Sequence, residues 1–199
     1  MADLEKTGKN LEGRGFRVHR FASGAEAAEF LVQTLHGTSI GIGGSVTIDT
    51  LGVYDRLCGS NEVFWHWKNH APETRERAGK AETYLCSANG VSENGEIVNI
   101  DGFGNRVAGT IYGPERVFLV VGRNKIAPDL TGAIDRARNI AAPLNARRLS
   151  RHTPCAVGEP RCHDCRSPEK VCGVMTVFFM PPTSIKEFHV ILVDEDLGY

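Results

Sequence analysis

Ser39-Ile40-Gly41-Ile42-Gly43-Gly44-Ser45-Val46-Thr47 decides the class of fold. Its first half is a short apolar run of the kind found in buried strands. Gly43-Gly44-Ser45 then turns the chain into a helix carrying Ile48, Leu51 and Leu57. The same alternation repeats outward. Toward the N-terminus, Phe16 to Phe21 alternates apolar and polar residues as a half-buried strand does, and helix-like stretches flank it. Ser23 and Glu26 form a capping-box pattern before a helix with Ala27, Phe30, Leu31 and Leu35 on one face, ending at His36-Gly37.

Toward the C-terminus, Val63 to Trp65 and Thr83 to Cys86 read as strands, with a helix from Glu73 to Lys80 between them and Pro72 in its first turn. Val117-Phe118-Leu119-Val120-Val121 is the central-strand candidate, because strands buried on both faces are continuously apolar. Asp129 can cap a helix through Ile140, which Pro143 breaks or kinks. Glu96 to Ile100, Val174 to Met180 and His189 to Val193 complete the β-like segments. Strands alternating with helices predict an α/β fold, a mostly parallel sheet with flanking helices, in one domain spanning residues 1–199. Ligands in such folds bind beyond the C-terminal ends of the strands.

The 199 residues and 21.7 kDa suit one such domain. A formal charge of −1 disfavours nucleic acid as the main partner. No apolar run approaches the roughly 20 residues of a membrane span, and Met1 to Lys6 shows no signal pattern. A cytoplasmic location is expected, and in a reducing compartment clustered cysteines bind metal more often than they form disulfides.

Cys155-x6-Cys162-x2-Cys165-x6-Cys172 is such a cluster. The central Cys-x-x-Cys lets two thiolates meet one metal, and the outer pair can complete a tetrahedron. Pro154, Gly158, Pro160 and Pro168 make residues 153–173 a shaped loop. Spacing alone does not separate zinc from an iron–sulfur cluster. Cys86, on a strand, reads as a small buried apolar residue, and Cys58 stands alone.

Two polar segments carry the remaining chemistry. Gly43, Gly44, Ser45 and Thr47 can present backbone N–H groups and hydroxyls to a phosphate or carboxylate. The segment from Asn89 through Glu93 to Arg106 is rich in Asn and Gly. There Asp101 can act as a base or hold an arginine, and Arg106 can clamp a carboxylate with two hydrogen bonds. Asn105, Asn124 and Lys125 add further polar groups near strand ends. His66, between Trp65 and Trp67, can act as an acid–base group near neutral pH, but aromatic neighbours favour local packing.

Several of these blocks resemble the LUD (lactate-utilisation) domain family. They are Gly41 to Thr47, Asn99 to Ala108, Ile111 to Pro114, Val121 to Leu130, Ala141 to Ala146, the four cysteines and Ile191 to Tyr199. The resemblance covers almost the whole chain and points to a four-cysteine subgroup. It implies a fold similar to sugar-phosphate isomerases and CoA transferases, with the glycine turn in the place of a phosphate-binding turn. Asp101-Gly102 falls where those isomerases carry an Asp-Gly turn, but Phe103-Gly104 follows in place of the rest of their acidic motif. For a CoA-transferase nucleophile, Glu93 is the residue to consider.

Some members of the family resemble one subunit of a bacterial L-lactate oxidation system that works with iron–sulfur partners. The resemblance therefore favours a [4Fe–4S] cluster at the cysteines, with structural zinc as the alternative. The expected ligand is a small anionic metabolite of the hydroxy or keto acid class. The site is then expected to comprise Asp101, Arg106 and Glu93 as acting groups, with the polar residues above binding. An electron-transfer accessory subunit and a zinc-stapled binding module are the alternatives. Iron–sulfur redox proteins are the expected protein partners, and the sequence leaves a homodimer open.

Overall fold

The run Arg116–Gly122 sits at the middle of the protein, as its composition demands. A computed structural model describes residues 2–199. In chain order the strands are Arg17–Phe21 (β1), Ser39–Ile42 (β2), Glu62–Trp65 (β3), Thr83–Ser87 (β4), Gly90–Ser92 (β5), Ile97–Asp101 (β6), Arg116–Gly122 (β7), Ile126–Ala127 (β8), Val174–Phe178 (β9) and Glu187–Val193 (β10). The helices are Leu4–Gly13 (α1), Gly24–Thr34 (α2), Val46–Thr50 (α3), Tyr54–Cys58 (α4), Thr74–Lys80 (α5), Asn105–Gly109 (α6), Leu130–Arg136 (α7), Ala142–Arg148 (α8) and Pro154–Val157 (α9).

Six strands form one sheet in the order β1-β10-β7-β4-β2-β3, and every pairing in it is parallel. This is the mostly parallel, helix-flanked sheet that the alternation predicts. Side chains alternate across a strand. Val117, Leu119 and Val121 therefore join one core with Leu11, Tyr84 and Val190, while Phe118 and Val120 join another with Leu31, Ile42 and Leu85. Both faces are thus sealed, each fully buried side chain contributing roughly 1.5–3 kcal/mol.

A second, mixed sheet, β8-β5-β6-β9, lies against the first core through Val91 and Ile97. Its other face packs Val98 and Ile100 against Ala133 and Ala137. The sequence reading contains β6 and β9 but not this sheet. Strands of three and two residues are too short to show a period.

Three local expectations need correction. The helix expected from Ser45 through Leu57 is two helices, α3 and α4, because Gly52 turns the chain between them at φ 63°. Asp129 does cap α7, its carboxylate accepting from Gly132 N at 2.8 Å, but the helical run passes Ile140 and Pro143 does not break it. A π-helical stretch, Ala137–Ala141, carries it into α8. The wider turn relieves the clash that a proline ring makes with the preceding turn. The capping box at Ser23 forms, except that Glu26 reaches Ala22 N at 2.9 Å.

Arg106 joins the two sheets. Its Nη1 donates to Ser87 O at 3.1 Å and Asn99 Oδ1 at 2.7 Å, and its Nη2 to Asn89 Oδ1 at 2.7 Å and to Ile100 O. Ser87 ends β4, while Asn99 and Ile100 belong to β6. Hydrogen bonds to a charged group contribute about 1.5–3 kcal/mol each where the partner is left unsatisfied. Arg106→Met is therefore expected to lower stability by about 3 kcal/mol in urea unfolding, and Arg106→Lys by nearly as much, since an ammonium cannot span four oxygens. A loss under about 0.5 kcal/mol, the ordinary range of a surface change, contradicts this role.

Candidate functional site

The parallel strands end on a cavity. It encloses about 520 Å³ and is lined from the turn after β2 (Gly44 to Thr47), the end of β4 (Ser87 to Asn89) and the end of β6 (Ile100 to Phe103). Further walls come from Asn105, Arg106, Lys125, the end of α8, Val171 and Tyr199. This is the position expected of a ligand site in a sheet of this kind.

Its electrostatics are one-sided. His66, His70, Arg75, Arg106, Lys125, Arg148 and Arg151 line it, and among the described residues Asp101 is the one acidic side chain that does. Among the described residues none of Arg75, Arg106, Arg148 and Arg151 takes part in an ion pair. Such cations gathered around a cleft of low-dielectric walls focus a field on anions. Aromatic rings hold two of them in place: Arg148 lies 4.5 Å from the Trp67 ring centroid and Arg75 5.0 Å from that of Phe103. Arg148 Nε also donates to the Tyr199 hydroxyl at 2.8 Å.

Sequence reasoning did not single out Arg75, His70, Arg148, Arg151 or Tyr199. The basic run Arg147-Arg148 to Arg151 at the end of α8 was the available signal. For His66 the structure shows both packing and a place at the cavity. Trp65 and Trp67 do stack, 5.5 Å apart, but His66 lines the cavity and its Nδ1 is buried without a partner. Burial, with Arg75 next in weight, pushes the His66 imidazole down to about 4, so it is neutral at pH 7 and offers a lone pair or N–H.

The residues named from sequence divide three ways. Gly44, Ser45, Thr47, Asn89, Asp101, Asn105, Arg106 and Lys125 all line the cavity. Several, however, are already engaged. Ser45 Oγ accepts from Ile48 N at 3.2 Å, and Thr47 Oγ1 donates to Leu197 O at 3.2 Å. The Asp101 carboxylate accepts from the backbone N–H groups of Phe103, Arg106 and Val107. It thus shapes the entry to α6 and does not pair with the guanidinium of Arg106. The expected clamp by Arg106 is corrected too: both terminal nitrogens serve protein oxygens, so it fixes the walls.

Gly43, Asn124 and Glu93 do not line the cavity. A Cβ on Gly43 would stand 3.0 Å from both Arg106 Cγ and Tyr84 Oη, so its bareness admits those side chains and not a ligand. Asn124 donates to Gly198 O and accepts from Leu197 N, holding the C-terminal residues that bring Tyr199 to the wall. Glu93 faces α1. Lys6 Nζ at 3.0 Å and Asp3 N at 3.2 Å hold it, and the Lys6 hydrogen bond keeps its carboxyl below the usual range.

The four cysteines, all unbridged, line a second, small cavity of about 20 Å³ together with Arg138, Thr153, Lys170 and Val171. Among the described residues no three His, Cys, Asp or Glu side chains form a group disposed to hold a metal ion. The surroundings nevertheless suit thiolates. Arg138 donates to Cys162 Sγ at 3.3 Å, and Cys162 N donates to Asn139 Oδ1 at 2.8 Å, both partners supplied by the π-helical stretch. Burial holds the Cys172 thiol above its usual range, and the other three cysteines add to that. Four thiolates in one small space repel, and a bound cation removes that penalty. As chemistry the donor set fits a thiolate-bound metal.

The two cavities share a wall. Val171 borders both, and a Cβ on Gly102 would come within 2.7 Å of Val171 Cα. Glycine at 102 thus lets the cysteine loop press against the Asp101 turn. Cys86, by contrast, lies fully buried in the core, its thiol pushed up to about 12 by burial, and Cys58 is exposed. No described helix is long and apolar enough to cross a membrane.

No curated protein matches this chain. Among solved structures it is similar to a DUF162 family protein from Deinococcus radiodurans, with a TM-score of 0.56 at 14% identity, over 96% of this chain and 95% of that one. At that identity the likeness concerns the fold alone. The model of the LUD domain matches residues 4–193, and the chain belongs to the LUD domain family.

Proposed function

We propose that this protein binds a small anionic metabolite of the hydroxy or keto acid class in the larger cavity and carries a thiolate-bound metal at Cys155, Cys162, Cys165 and Cys172. The observation that carries the first part is the set of cations without carboxylate partners around a cavity with one acidic side chain. An anion supplies the missing charge. The volume of about 520 Å³ leaves room for an acid well beyond three carbons. Arg75 and Arg148, steadied by aromatic rings, are the groups that meet its carboxylate.

For the metal, the family resemblance favours a [4Fe–4S] cluster that passes electrons to iron–sulfur partner proteins. Hydrogen bonds to cluster sulfurs tune such centres, and Arg138 on Cys162 is of that kind. A single zinc ion is the second reading. It is favoured by a cavity of about 20 Å³, room for little more than one water-sized body. In that case the protein is a ligand-binding module with a stapled loop. A cluster without turnover of the acid makes it an accessory electron-transfer subunit.

Titration calorimetry with L-lactate, pyruvate and longer 2-hydroxy and 2-oxo acids tests the anion site. Binding is expected, weakening steeply with salt. Arg148→Gln, and separately Arg75→Gln, should weaken it about tenfold, the effect of 1.4 kcal/mol. A bound anion raises the pKa of His66 from about 4, so binding takes up protons and tightens as pH falls toward that value. Equal affinity for neutral analogues, or no effect of either arginine, contradicts the reading.

Anaerobic purification with metal and acid-labile sulfide analysis tests the second part. Iron with sulfide is expected for the cluster and zinc without sulfide for the staple, and in either case Cys162→Ser and Cys165→Ser should lose the metal. Protein free of both metals that cannot be loaded with either removes the proposal.

A further inference from the structure

Lys125 is the least ordinary group on the larger cavity. It ends the 3-10 turn Arg123–Lys125 that follows β7, and it is 3% exposed. Its Nζ donates to Thr47 Oγ1 at 2.7 Å and Ser87 Oγ at 2.8 Å. Those hydroxyls direct their own protons elsewhere, Thr47 to Leu197 O at 3.2 Å and Ser87 to Ala88 O at 3.3 Å. Both are therefore acceptors toward the amine. Among the described residues no carboxylate pairs with Lys125, and its charged neighbours are Arg136 and Arg106.

An ammonium has three N–H groups to place, whereas a neutral amine has two and a lone pair. Two acceptors, no counter-ion and two guanidinium neighbours match the neutral form. Burial and the two arginines push the Lys125 amine well below its usual range in the same sense. A desolvated lysine beside other cations is one of the recognised ways of making an amine nucleophilic at neutral pH. The third direction of the nitrogen has no protein partner, and the side chain is part of the cavity wall.

We propose that Lys125 is a nucleophile that forms an imine with the carbonyl carbon of a 2-oxo carboxylate held in this cavity. The inference rests on the anion reading of the cavity and narrows it from hydroxy or keto acids to keto acids. The nitrogen lone pair attacks the carbonyl carbon, and the oxygen takes up a proton. The nitrogen gives up a proton, and loss of one water leaves the C=N bond. No oxidant or reductant is needed. The arginines hold the carboxylate, and a 2-hydroxy acid, lacking the carbonyl, stops at binding.

The full-length protein is incubated with sodium pyruvate and sodium cyanoborohydride, which reduces the imine to a stable amine. Intact mass and peptide mapping follow, with melting temperature measured alongside without reductant. The expected result is one adduct, heavier by the acid less one oxygen atom, on the peptide carrying Lys125. It should form at least about tenfold faster than on exposed Lys9 or Lys80, and L-lactate should give none. Pyruvate that raises the melting temperature without an adduct at Lys125, or with adducts spread evenly over the lysines, overturns the imine and leaves the anion site standing. Neither shift nor adduct overturns both. Mapping the unaltered protein makes the test independent of whether Lys125→Met folds.

Discussion

One guanidinium fixes the geometry on which the site depends. Arg106 meets oxygens from the end of β4, from Asn89 and from β6, and so holds the parallel sheet and the smaller sheet at one separation. The cavity is the space left beyond that seam. A charged group bonded to several fixed oxygens resists displacement, because moving it would strand both the charge and its acceptors away from water. The residue that looks most like a substrate clamp is thus the one that builds the walls. Arg75 and Arg148, by contrast, stand at the cavity without a carboxylate partner among the described residues.

The cysteine loop is built into the same construction. Pro143 forces a π-helical widening, and that widening turns Arg138 and Asn139 toward Cys162. Val171, one residue before Cys172, then forms a wall of the larger cavity. Whatever orders the loop therefore also shapes the space where an anion would sit.

Much of the scaffold was legible because it rests on local chemistry. Ser23, Ser45 and Asp129 each accept from the N–H three residues on, which needs only a short side chain at the right place. The apolar runs of β2, β4 and β7 announce strands covered on both faces. The smaller sheet was less legible, since two of its three pairings, β5 with β8 and β6 with β9, reach across long gaps in sequence. The cavity's charge was hidden for a different reason. Its cations come from separate segments, and what matters is the absence of acids beside them in space. A sequence with 23 basic and 24 acidic residues gives no hint of that. Lys125 and the Asp101 turn were found because they follow strand ends, but whether each was free or engaged depended on partners far along the chain.

An anion site in the cavity beyond β2, β4 and β7 is the central proposal. Crystals soaked in sodium bromide and measured at the bromine absorption edge test it directly. An anomalous peak is expected inside the cavity, within contact of Arg75 or Arg148. Bromide found only on the outer surface, with the cavity holding water alone, would contradict it.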